Sequence, residues 1–288
     1  MIAARDWDEV GAGVFHRRYQ PVDVSVVAVV GPSGVTVVDT RKNPAEAREI
    51  VDDVDAAFGL PVVAAVNTHA HYDHTFGNQV FVGLGVPVYG HAGIAAHFER
   101  FEGPRLAAVQ ADAQREPDKD WGEVVLTVPT VVVPGVAGGA MRIAPGGRPI
   151  DLVPLPPGHT DTDLAVHVPD AGVWALGDVI EQSGPPMFGS GSYPLGWGGA
   201  LRALAPRIRS DEVIVPGHGE PVDLGFLMRQ AERFDEVARM IVRAWETRTA
   251  VDEVQLPGGL LEVWPDWMLR SALRAGFAQL LSPERSGR

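Results

Sequence analysis

The stretch T-H-A-H-Y-D-H, residues 68–74, places three histidines and one aspartate within six positions of each other. Neutral imidazoles and carboxylates are the side chains that bind borderline divalent metals such as zinc. Burying so many ionisable groups without a counter-ion would cost several kcal/mol for each group. A bound metal removes this cost, whereas the competing interpretation is a solvated histidine-rich loop that binds nothing.

The spacing within this stretch predicts how its side chains divide. In extended or tightly turned backbone, residues i and i+2 point to the same side, so His69 and His71 can reach one ion. Asp73 and His74 come later on the turning loop and can face a second site. The spacing therefore predicts two metals, or one metal beside a second, incomplete set of ligands that holds none.

The segments before the stretch have the pattern of an α/β unit. Residues 44–58 are predicted to form a helix, with Asn43 as its N-cap, Pro44 at the first helical position and Gly59 after its end. Residues 62–66 then form a short apolar run of strand type. The metal-binding stretch follows the carboxyl end of this strand, where sites in α/β sheets are expected.

A hairpin is predicted further towards the N-terminus. Residues 24–30 and 35–40 are β-branched runs joined by the turn G-P-S-G. Their continuous apolar character indicates strands that are covered on both faces. Asp39 lies at the end of the second strand, where an aspartate usually caps or turns the chain. It could also hydrogen-bond the metal-binding loop from behind.

The remaining chain alternates between strand and helix patterns. We predict strands at residues 86–89, 124–128, 130–133, 149–155, 164–168, 173–176 and 212–215, and helices at residues 92–100, 198–208, 222–245 and 264–281. Residues 103–120 are expected to form a loop with a helical piece that borders the pocket. The order suggests two β/α halves that meet at a shared site.

Three short motifs at strand ends supply further candidate ligands: G-H-T at residues 158–160, G-D at residues 177–178 and P-G-H-G at residues 216–219. Each motif alone carries little information. Two other histidines fit simpler roles, His91 at a helix start or beside the site, and His97 as a structural or exposed residue.

Composition excludes several classes of protein. The 288 residues carry a net charge of −13, which argues against a nucleic-acid surface. The absence of cysteine excludes a disulfide framework, a thiolate ligand and a cysteine nucleophile. Residues 1–10 are acidic without an apolar segment, and the longest apolar run, residues 24–30, is too short to span a bilayer. We expect a cytoplasmic protein with a small-molecule substrate and no membrane partner.

Taken together, the four motifs resemble the metallo-β-lactamase-fold hydrolase superfamily, in the family's order, from residue 24 to about residue 222. The resemblance implies an α/β (α+β) fold of the four-layer αββα type, with a dinuclear metal site at one edge of two facing sheets. We expect residues 1–288 to form one such domain. The apolar stripes of its C-terminal helices, from about 223–281, are expected to pack in the core, but these helices could instead mediate a homodimer.

The resemblance divides seven side chains between two metals. The first metal would be held by His69, His71 and His159. The second would be held by Asp73, His74 and His218. Asp178 would bridge the two ions, so every ligand of the two-metal pattern is present in this chain.

Further roles follow from the same resemblance. Asp39, Thr68 and Thr160 would support the ligands from behind. Two divalent ions, zinc in the first place with iron or manganese as alternatives, would lower the pKa of a shared water and create a metal-bridging hydroxide nucleophile. Asp73 could also shuttle a proton, so Asp73 and Asp178 are the candidate catalytic carboxylates.

The bridging aspartate that the resemblance implies also bears on the substrate class. A bridging Asp178 is typical of members that act on thioesters, lactones and phosphoesters, as in the glyoxalase II and lactonase-like branch. β-Lactamase subclasses with a cysteine at the second metal are excluded. The chain lacks the basic C-terminal segment of glyoxalase II, and its acidity argues against the ribonuclease Z group. We therefore predict hydrolysis of a small ester-like substrate, such as a lactone or a thioester.

A flexible segment rich in glycine and proline, residues 184–199, is a candidate substrate loop or a surface loop anchored by its aromatic residues. It contains Phe188, Tyr193 and Trp197 as candidate pocket residues, and Tyr193 could polarise a lactone carbonyl.

Several alternatives stay open. One is a mononuclear iron enzyme similar to persulfide dioxygenases, and another is a β-lactamase-like or phosphodiester hydrolase of the same fold. A scaffold with a purely structural metal is the non-enzymatic alternative. The electron-transferring diiron branch is disfavoured because it carries a glutamate where this chain has His71.

Overall fold

The computed structural model describes residues 6–135 and 139–282. The strands in this part of the chain are β1 (Asp8–Gly11), β2 (Val14–Tyr19), β3 (Val24–Gly31), β4 (Gly34–Val38), β5 (Val62–Val66), β6 (Val88–His91), β7 (Val131–Val133), β8 (Met141–Ile143), β9 (Ile150–Pro154), β10 (Leu164–Val168), β11 (Val173–Glu181) and β12 (Val213–His218). The α-helices are α1 (Pro44–Phe58), α2 (Tyr72–Thr75), α3 (Asn78–Gly83), α4 (Ile94–His97), α5 (Gly103–Ala111), α6 (Trp197–Leu204), α7 (Leu224–Glu246), α8 (Gly258–Leu261) and α9 (Asp266–Leu281).

The strands form two halves that are joined at one point. The order is β7-β6-β5-β4-β3-β12-β11-β10-β9-β8, and β2 also pairs with β3 and carries β1 on its other side. Among the described residues, β3 and β12 are paired only through Val24 and His218. Pairing is parallel from β4 to β7 and between β11 and β12, and antiparallel elsewhere.

Alternating side chains on the strands separate the molecule into layers. On β3, Val26 and Ala28 pack with Ile50 of α1, whereas Val27 and Val29 lie in a different apolar cluster. Since successive side chains of a strand point to opposite faces, this half of the sheet has a helix on one side only.

The second half repeats this arrangement. Trp174 and Leu176 of β11 pack with Phe234 of α7, whereas Val173 and Ala175 join the same cluster as Val27 and Val29. The two halves therefore face each other across a shared apolar layer, with helices outside. This confirms the predicted α/β fold with its αββα layering.

The helix and strands predicted from sequence next to the metal-binding stretch are present in the structure. Helix α1 is confirmed over residues 44–58, because the Asn43 side chain accepts a hydrogen bond from the Glu46 amide and Gly59 closes the helix at φ 62°. The hairpin of β3 and β4 and the strand at residues 62–66 are also confirmed. Most later predicted strands are present with their ends displaced by a few residues.

The strand predicted at residues 124–128 is wrong. Val124 is buried beside Trp121, but Val125 and Val128 are 64% and 45% exposed. Side chains rather than a neighbouring strand satisfy this backbone, since Gln79 accepts from the Val125 amide and Asn78 donates to the Thr127 carbonyl. The apolar run therefore has no sheet partner.

Other elements were absent from the sequence prediction. Strands β1, β2 and β8 are short or partly polar. Residues 103–120, in contrast, were predicted as a loop with a helical piece, and they do contain helix α5, because α4 continues through a π-helical turn, Phe98–Glu102, into α5. This turn places helix α5 beside the pocket.

The predicted C-terminal helices are confirmed as α7 and α9. They pack against α6 and β11 in one apolar cluster that includes Phe234, Trp264 and Leu273. No helix within residues 6–135 and 139–282 is long and apolar enough to cross a membrane. The homodimer and the single domain over residues 1–288 stay predictions.

Candidate metal centre

The seven predicted ligands come from five places in the fold. His69 and His71 follow β5, Asp73 and His74 lie in α2, His159 lies between β9 and β10, Asp178 lies in β11 and His218 ends β12. The structure brings all seven side chains together where the two halves of the sheet meet. They form two groups that could each hold a metal ion.

The first group contains three imidazoles. Nε2 of His69 lies 3.1 Å from Nδ1 of His71, and Nε2 of His159 lies 2.8 Å from the same Nδ1. Oδ2 of Asp178 lies 3.7 Å from His69 Nε2 and 3.5 Å from His159 Nε2. Four ligands held tetrahedrally at ~2.0–2.1 Å from zinc are separated by roughly 3.3 Å. The observed separations bracket this value.

The second group contains Asp73, His74 and His218. Oδ2 of Asp73 lies 3.9 Å from His74 Nε2 and 3.5 Å from His218 Nε2. Oδ1 of Asp178 lies 3.0 Å from His74 Nε2 and 3.5 Å from His218 Nε2. The two oxygens of Asp178 thus face different groups, as expected of a bridging carboxylate.

The outer ring nitrogens show which atoms face the centre. The Nε2–H of His71 donates to the Ser190 carbonyl, and the Nδ1–H of His218 donates to the Val22 carbonyl. His74 Nδ1 lies 2.8 Å from Oδ2 of Asp39. Because the outer nitrogen of each ring carries the proton, the inner nitrogen presents its lone pair to the site.

Unpartnered atoms indicate that these residues fit a cation. Among the described residues, His74 Nε2 and Asp178 Oδ1 are buried without a hydrogen-bond partner, although they lie only 3.0 Å apart. Buried polar atoms in native proteins are nearly always satisfied. A divalent metal between these lone pairs would satisfy both atoms, so the donor set fits the group that the fold implies.

The electrostatics divide the centre in the same way. Burial, followed by the neighbouring imidazole of His74, lowers the pKa of His69 well below its ordinary value. Burial and His71 likewise lower the pKa of His159. These rings are therefore neutral, which is the form that binds metals.

Negative charge is concentrated at the second group. Burial would lower the pKa of His218, but Asp178, Glu181 and Asp73 raise it to about 10. Burial would raise the pKa of Asp178, but His74, His218 and His69 hold it well below its ordinary value. A potential that favours a proton on His218 also favours a metal cation at this position.

Two of the predicted supporting residues lie directly behind the ligands. Asp39 accepts hydrogen bonds from the backbone amide and the hydroxyl of Thr68, both at 2.8 Å, in addition to its contact with His74. Its backbone has φ 69°, a left-handed conformation that aspartate tolerates better than most residues.

Thr160 has a more distant role. Its hydroxyl donates to Asp163 and lies 2.8 Å from the Thr162 hydroxyl, and Thr162 in turn accepts a hydrogen bond from the Ala70 amide. Thr160 therefore stabilises the loop that carries His159 and ties it to the metal-binding stretch.

Comparison with known proteins identifies the family. The model of the metallo-beta-lactamase superfamily matches residues 19–218, which include both groups of ligands. The chain belongs to the metallo-beta-lactamase superfamily. Most members of this superfamily are metal-dependent hydrolases.

Two similar curated proteins are metallo-beta-lactamases of type 2. The protein of Bacillus sp. (strain 170) is 22% identical over 224 residues, which cover 77% of this chain and 76% of that protein. The protein of Bacillus cereus is 21% identical over 197 residues, which cover 68% of this chain and 66% of that protein. The chain thus spans just under two thirds of the second relative.

Solved structures confirm the metallo-beta-lactamase fold. A stereoselective inverting sec-alkylsulfatase from Pseudomonas sp. superposes with a TM-score of 0.74 at 19% identity, covering 98% of this chain and 51% of the sulfatase. A metallo-beta-lactamase from Pontibacter korlensis superposes with a TM-score of 0.60 at 18% identity, covering 79% of this chain and 97% of that protein. The chain spans about half the length of the sulfatase.

A cavity of ≈ 530 Å³ opens onto the centre of this metallo-beta-lactamase fold. His71, Asp73, His159, Asp178 and His218 all line it. A small-molecule substrate in this cavity would therefore meet both groups of candidate ligands.

The predicted pocket residues require a correction. Phe188 and Trp197 are buried in the core, where the Trp197 ring stacks on Phe234 with centroids 4.3 Å apart and its indole N–H donates to the Val179 carbonyl. Tyr193 is not among the residues lining the cavity, and its hydroxyl lies 3.4 Å from Oδ2 of Asp161. The aromatic residues of this segment thus anchor it, while Met187, Gly189 and Ser190 line the cavity.

Glu181 was missed by the sequence analysis. It lies near Asp178 and His218 and lines the cavity. In a regular strand, residues three apart point to opposite faces, so G-D-V-I-E did not suggest a pair. The register of β11 against β12 is irregular between Gly177 and Glu181, and this brings both carboxylates to one side.

His97 and His91 are two of the four histidines outside the predicted ligand set. His97 is buried, as one of its predicted alternatives required, and it lies beside Glu102, whose carboxylate accepts a hydrogen bond from the Ser190 hydroxyl. His91 accepts a hydrogen bond from the Gly93 amide and is absent from both groups of ligands. Neither histidine was predicted from the sequence to be a metal ligand.

Proposed function

We propose that this chain is a hydrolase that uses two divalent metal ions, zinc in the first place with iron or manganese as alternatives, to cleave a small ester-like substrate such as a lactone or a thioester. The position of Asp178 carries this proposal, because its two oxygens face two separate sets of ligands. The cavity volume of ≈ 530 Å³ suits a small substrate.

Each candidate ligand has a definite part in this proposal. The first ion would be held by His69, His71 and His159. The second would be held by Asp73, His74 and His218. Asp178 would contact both ions. Cations held in this way lower the pKa of water towards neutrality and polarise a substrate carbonyl.

Asp73 and Glu181 are the carboxylates available for proton transfer. Both line the cavity beside His218. We assign the proton shuttle to Asp73, as its place in the metal-binding stretch suggests. An Asp73→Asn variant that keeps both metals and full turnover would exclude this role.

The comparisons supply two further substrate classes to test. The curated relatives are named β-lactamases, but this chain has no cysteine for a thiolate ligand at the second metal. The sec-alkylsulfatase resembles nearly the whole chain in fold. A cephalosporin and a secondary alkyl sulfate therefore belong in a substrate panel beside a lactone, a thioester and a phosphodiester.

Metal analysis of the purified protein tests the proposal first. Two zinc ions per chain, with lactone or thioester hydrolysis that a chelator abolishes and zinc restores, is the expected result. One iron ion per chain with oxygen consumption would instead indicate the alternative dioxygenase-like function.

A matched pair of variants then tests the site itself. His71→Ala should abolish turnover and leave the fold intact, because it removes a ligand of the first group. His91→Ala removes an imidazole outside both groups and should retain turnover. Turnover retained in His71→Ala would overturn the assignment of the first metal.

A further inference from the structure

We propose that Arg105 and Lys119 form a binding site for an anionic oxygen group of the substrate, a carboxylate, sulfate or phosphate, at the wall of the cavity. Both side chains line the same cavity as the candidate metal ligands. This inference rests on the proposed hydrolase function, and it narrows the substrate to an ester, lactone or thioester that carries a negative charge.

Arg105 is held in place by its neighbours. Glu116 accepts hydrogen bonds from its Nε at 2.7 Å and its Nη2 at 2.5 Å. The guanidinium carbon lies 4.9 Å from the ring centroid of Tyr72 and 5.1 Å from that of Trp121. Guanidinium groups have five donors, and the Nη1 donors of Arg105 have no hydrogen-bond partner among the described residues.

Lys119 lies against the same tyrosine. Its ammonium nitrogen donates to the Tyr72 hydroxyl at 3.1 Å and lies 3.1 Å from Oδ2 of Asp118. The Lys119 side chain is 13% exposed, whereas that of Asp118 is 69% exposed. Neither Glu116 nor Asp118 lines the cavity, so the two cations face it without their acidic partners.

The chain itself links this wall to the metal centre. Tyr72, which contacts both cations, lies between His71 and Asp73 in the metal-binding stretch. The acidic residues that line the cavity are Asp73, Asp178 and Glu181, which cluster around His218. Charge in the cavity is thus separated, with carboxylates at the metal centre and cations around Tyr72.

This separation would orient a substrate. In the proposed enzyme the metals would offset the carboxylates of the centre and take up the carbonyl, whereas Arg105 and Lys119 would attract an anionic group to the wall around Tyr72. A partly buried guanidinium held by a carboxylate and two aromatic rings loses little conformational freedom when it binds an oxyanion. The cleavable carbonyl of the same molecule would then lie towards Asp178.

Kinetics with matched substrates test the site. The zinc-loaded protein is compared on an ester bearing a carboxylate and on its neutral methyl-amide analogue, and then on the corresponding sulfate- and phosphate-bearing esters. In Arg105→Gln and Lys119→Gln we expect kcat/KM for the preferred anionic ester to fall about 10–100-fold, through KM, with little change for the neutral ester.

Two controls separate charge from local structure. Lys119→Arg keeps the charge and should keep most of the discrimination. Arg115→Gln alters an exposed arginine that lies outside the cavity lining, and it should leave kcat/KM unchanged for both the charged and the neutral ester. Equal losses on charged and neutral esters in both Gln variants would overturn the proposal.

Direct binding distinguishes failure of this site from failure of the proposed hydrolase. Calorimetry measures the affinity of the zinc-loaded protein for glutarate, sulfate and phosphate. The strongest of these should bind about tenfold more weakly to the Arg105→Gln Lys119→Gln double variant. If no ester, lactone or thioester is hydrolysed but this loss is seen, the anion site stands and the proposed function fails. Affinity unchanged by the double variant overturns the anion site.

Discussion

Oδ2 of Asp39 lies 2.8 Å from Nδ1 of His74, although the two residues are 35 positions apart in the chain. The carboxylate also holds the amide and hydroxyl of Thr68, so one aspartate connects β4 to both ends of the metal-binding stretch. Partners of this kind orient a metal-binding imidazole and raise its basicity.

We therefore expect Asp39→Asn to weaken binding of the second metal about 10–100-fold, the range seen for such supporting partners. Asparagine has a similar size and also tolerates the left-handed backbone at this position. Competition with a chelator of known affinity measures the change. Asp120→Asn, at an exposed position with φ 53°, is the matched control. Equal metal affinity in Asp39→Asn and the control would contradict this role.

Gly217 allows Asp178 to occupy its place between the two groups. A Cβ atom at this position would lie 1.9 Å from Oδ1 of Asp178 and 2.7 Å from its backbone nitrogen. Gly217→Ala should therefore displace the carboxylate, lower the metal content below two per chain and reduce turnover at least about tenfold, although no ligand is removed.

The control for this substitution is Gly199→Ala. In helix α6, a Cβ on Gly199 would meet nothing within 4 Å. Alanine favours a helix over glycine by about 1 kcal/mol, so this variant should keep both metals and gain slightly in stability. Full metal content and turnover in Gly217→Ala would show that the Asp178 carboxylate can move without loss.

Tyr193 should not polarise the substrate carbonyl, because it is absent from the residues lining the cavity. Tyr193→Phe removes a hydroxyl whose contact with Asp161 is long and exposed, at 3.4 Å. We expect kcat and KM to stay within about twofold of the wild-type values. Steady-state kinetics on a lactone provide the measurement, and a large fall in kcat at constant KM would restore the carbonyl role.

His16 should make the stability of the protein depend on pH. Burial lowers its pKa from 6.5 to about 4 in the folded state, and its Nε2 lies 3.0 Å from the Ser25 hydroxyl. Between these values the unfolded chain binds the extra proton, so the stabilisation is present above pH 6.5 and is lost as pH falls towards 4. The loss from this residue amounts to about 3 kcal/mol.

A His16→Gln variant isolates this effect, because glutamine stays neutral throughout. Denaturant unfolding at pH 7 and pH 4 gives the free energy of unfolding of both proteins. The difference between wild type and variant should shrink or reverse at pH 4 by about 3 kcal/mol. A difference that is the same at both pH values would show that His16 does not titrate in this way.

Some of the site is encoded within short segments. His69, His71, Asp73 and His74 lie so close in sequence that the turn after β5 places them together, and their residue types already indicate a metal. Helix α1 is similarly local, since its cap and its terminal glycine lie within the segment that they delimit. The assignment of His159, Asp178 and His218 to the two metals came instead from the resemblance of the four motifs to the superfamily.

Other features depend on contacts that no local pattern reveals. Residues 124–128 have the apolar character of a strand, but the fold provides side-chain partners there instead of a neighbouring strand. Trp197 and Phe188 come from the glycine- and proline-rich residues 184–199, yet α7 supplies Phe234 for them to pack against. An aromatic residue in a loop fits a core and a pocket equally well until its neighbours are known.

The amino-acid sequence by itself determined the α/β fold and the chemistry of the candidate metal ligands, because strand and helix periodicity and closely spaced imidazoles act over a few residues. Only the tertiary structure decided what surrounds them. It turned Oδ1 and Oδ2 of Asp178 towards different groups, brought Glu181 to their side and set Arg105 and Lys119 against Tyr72. These relationships join residues far apart in the chain, so they arise from packing and not from spacing.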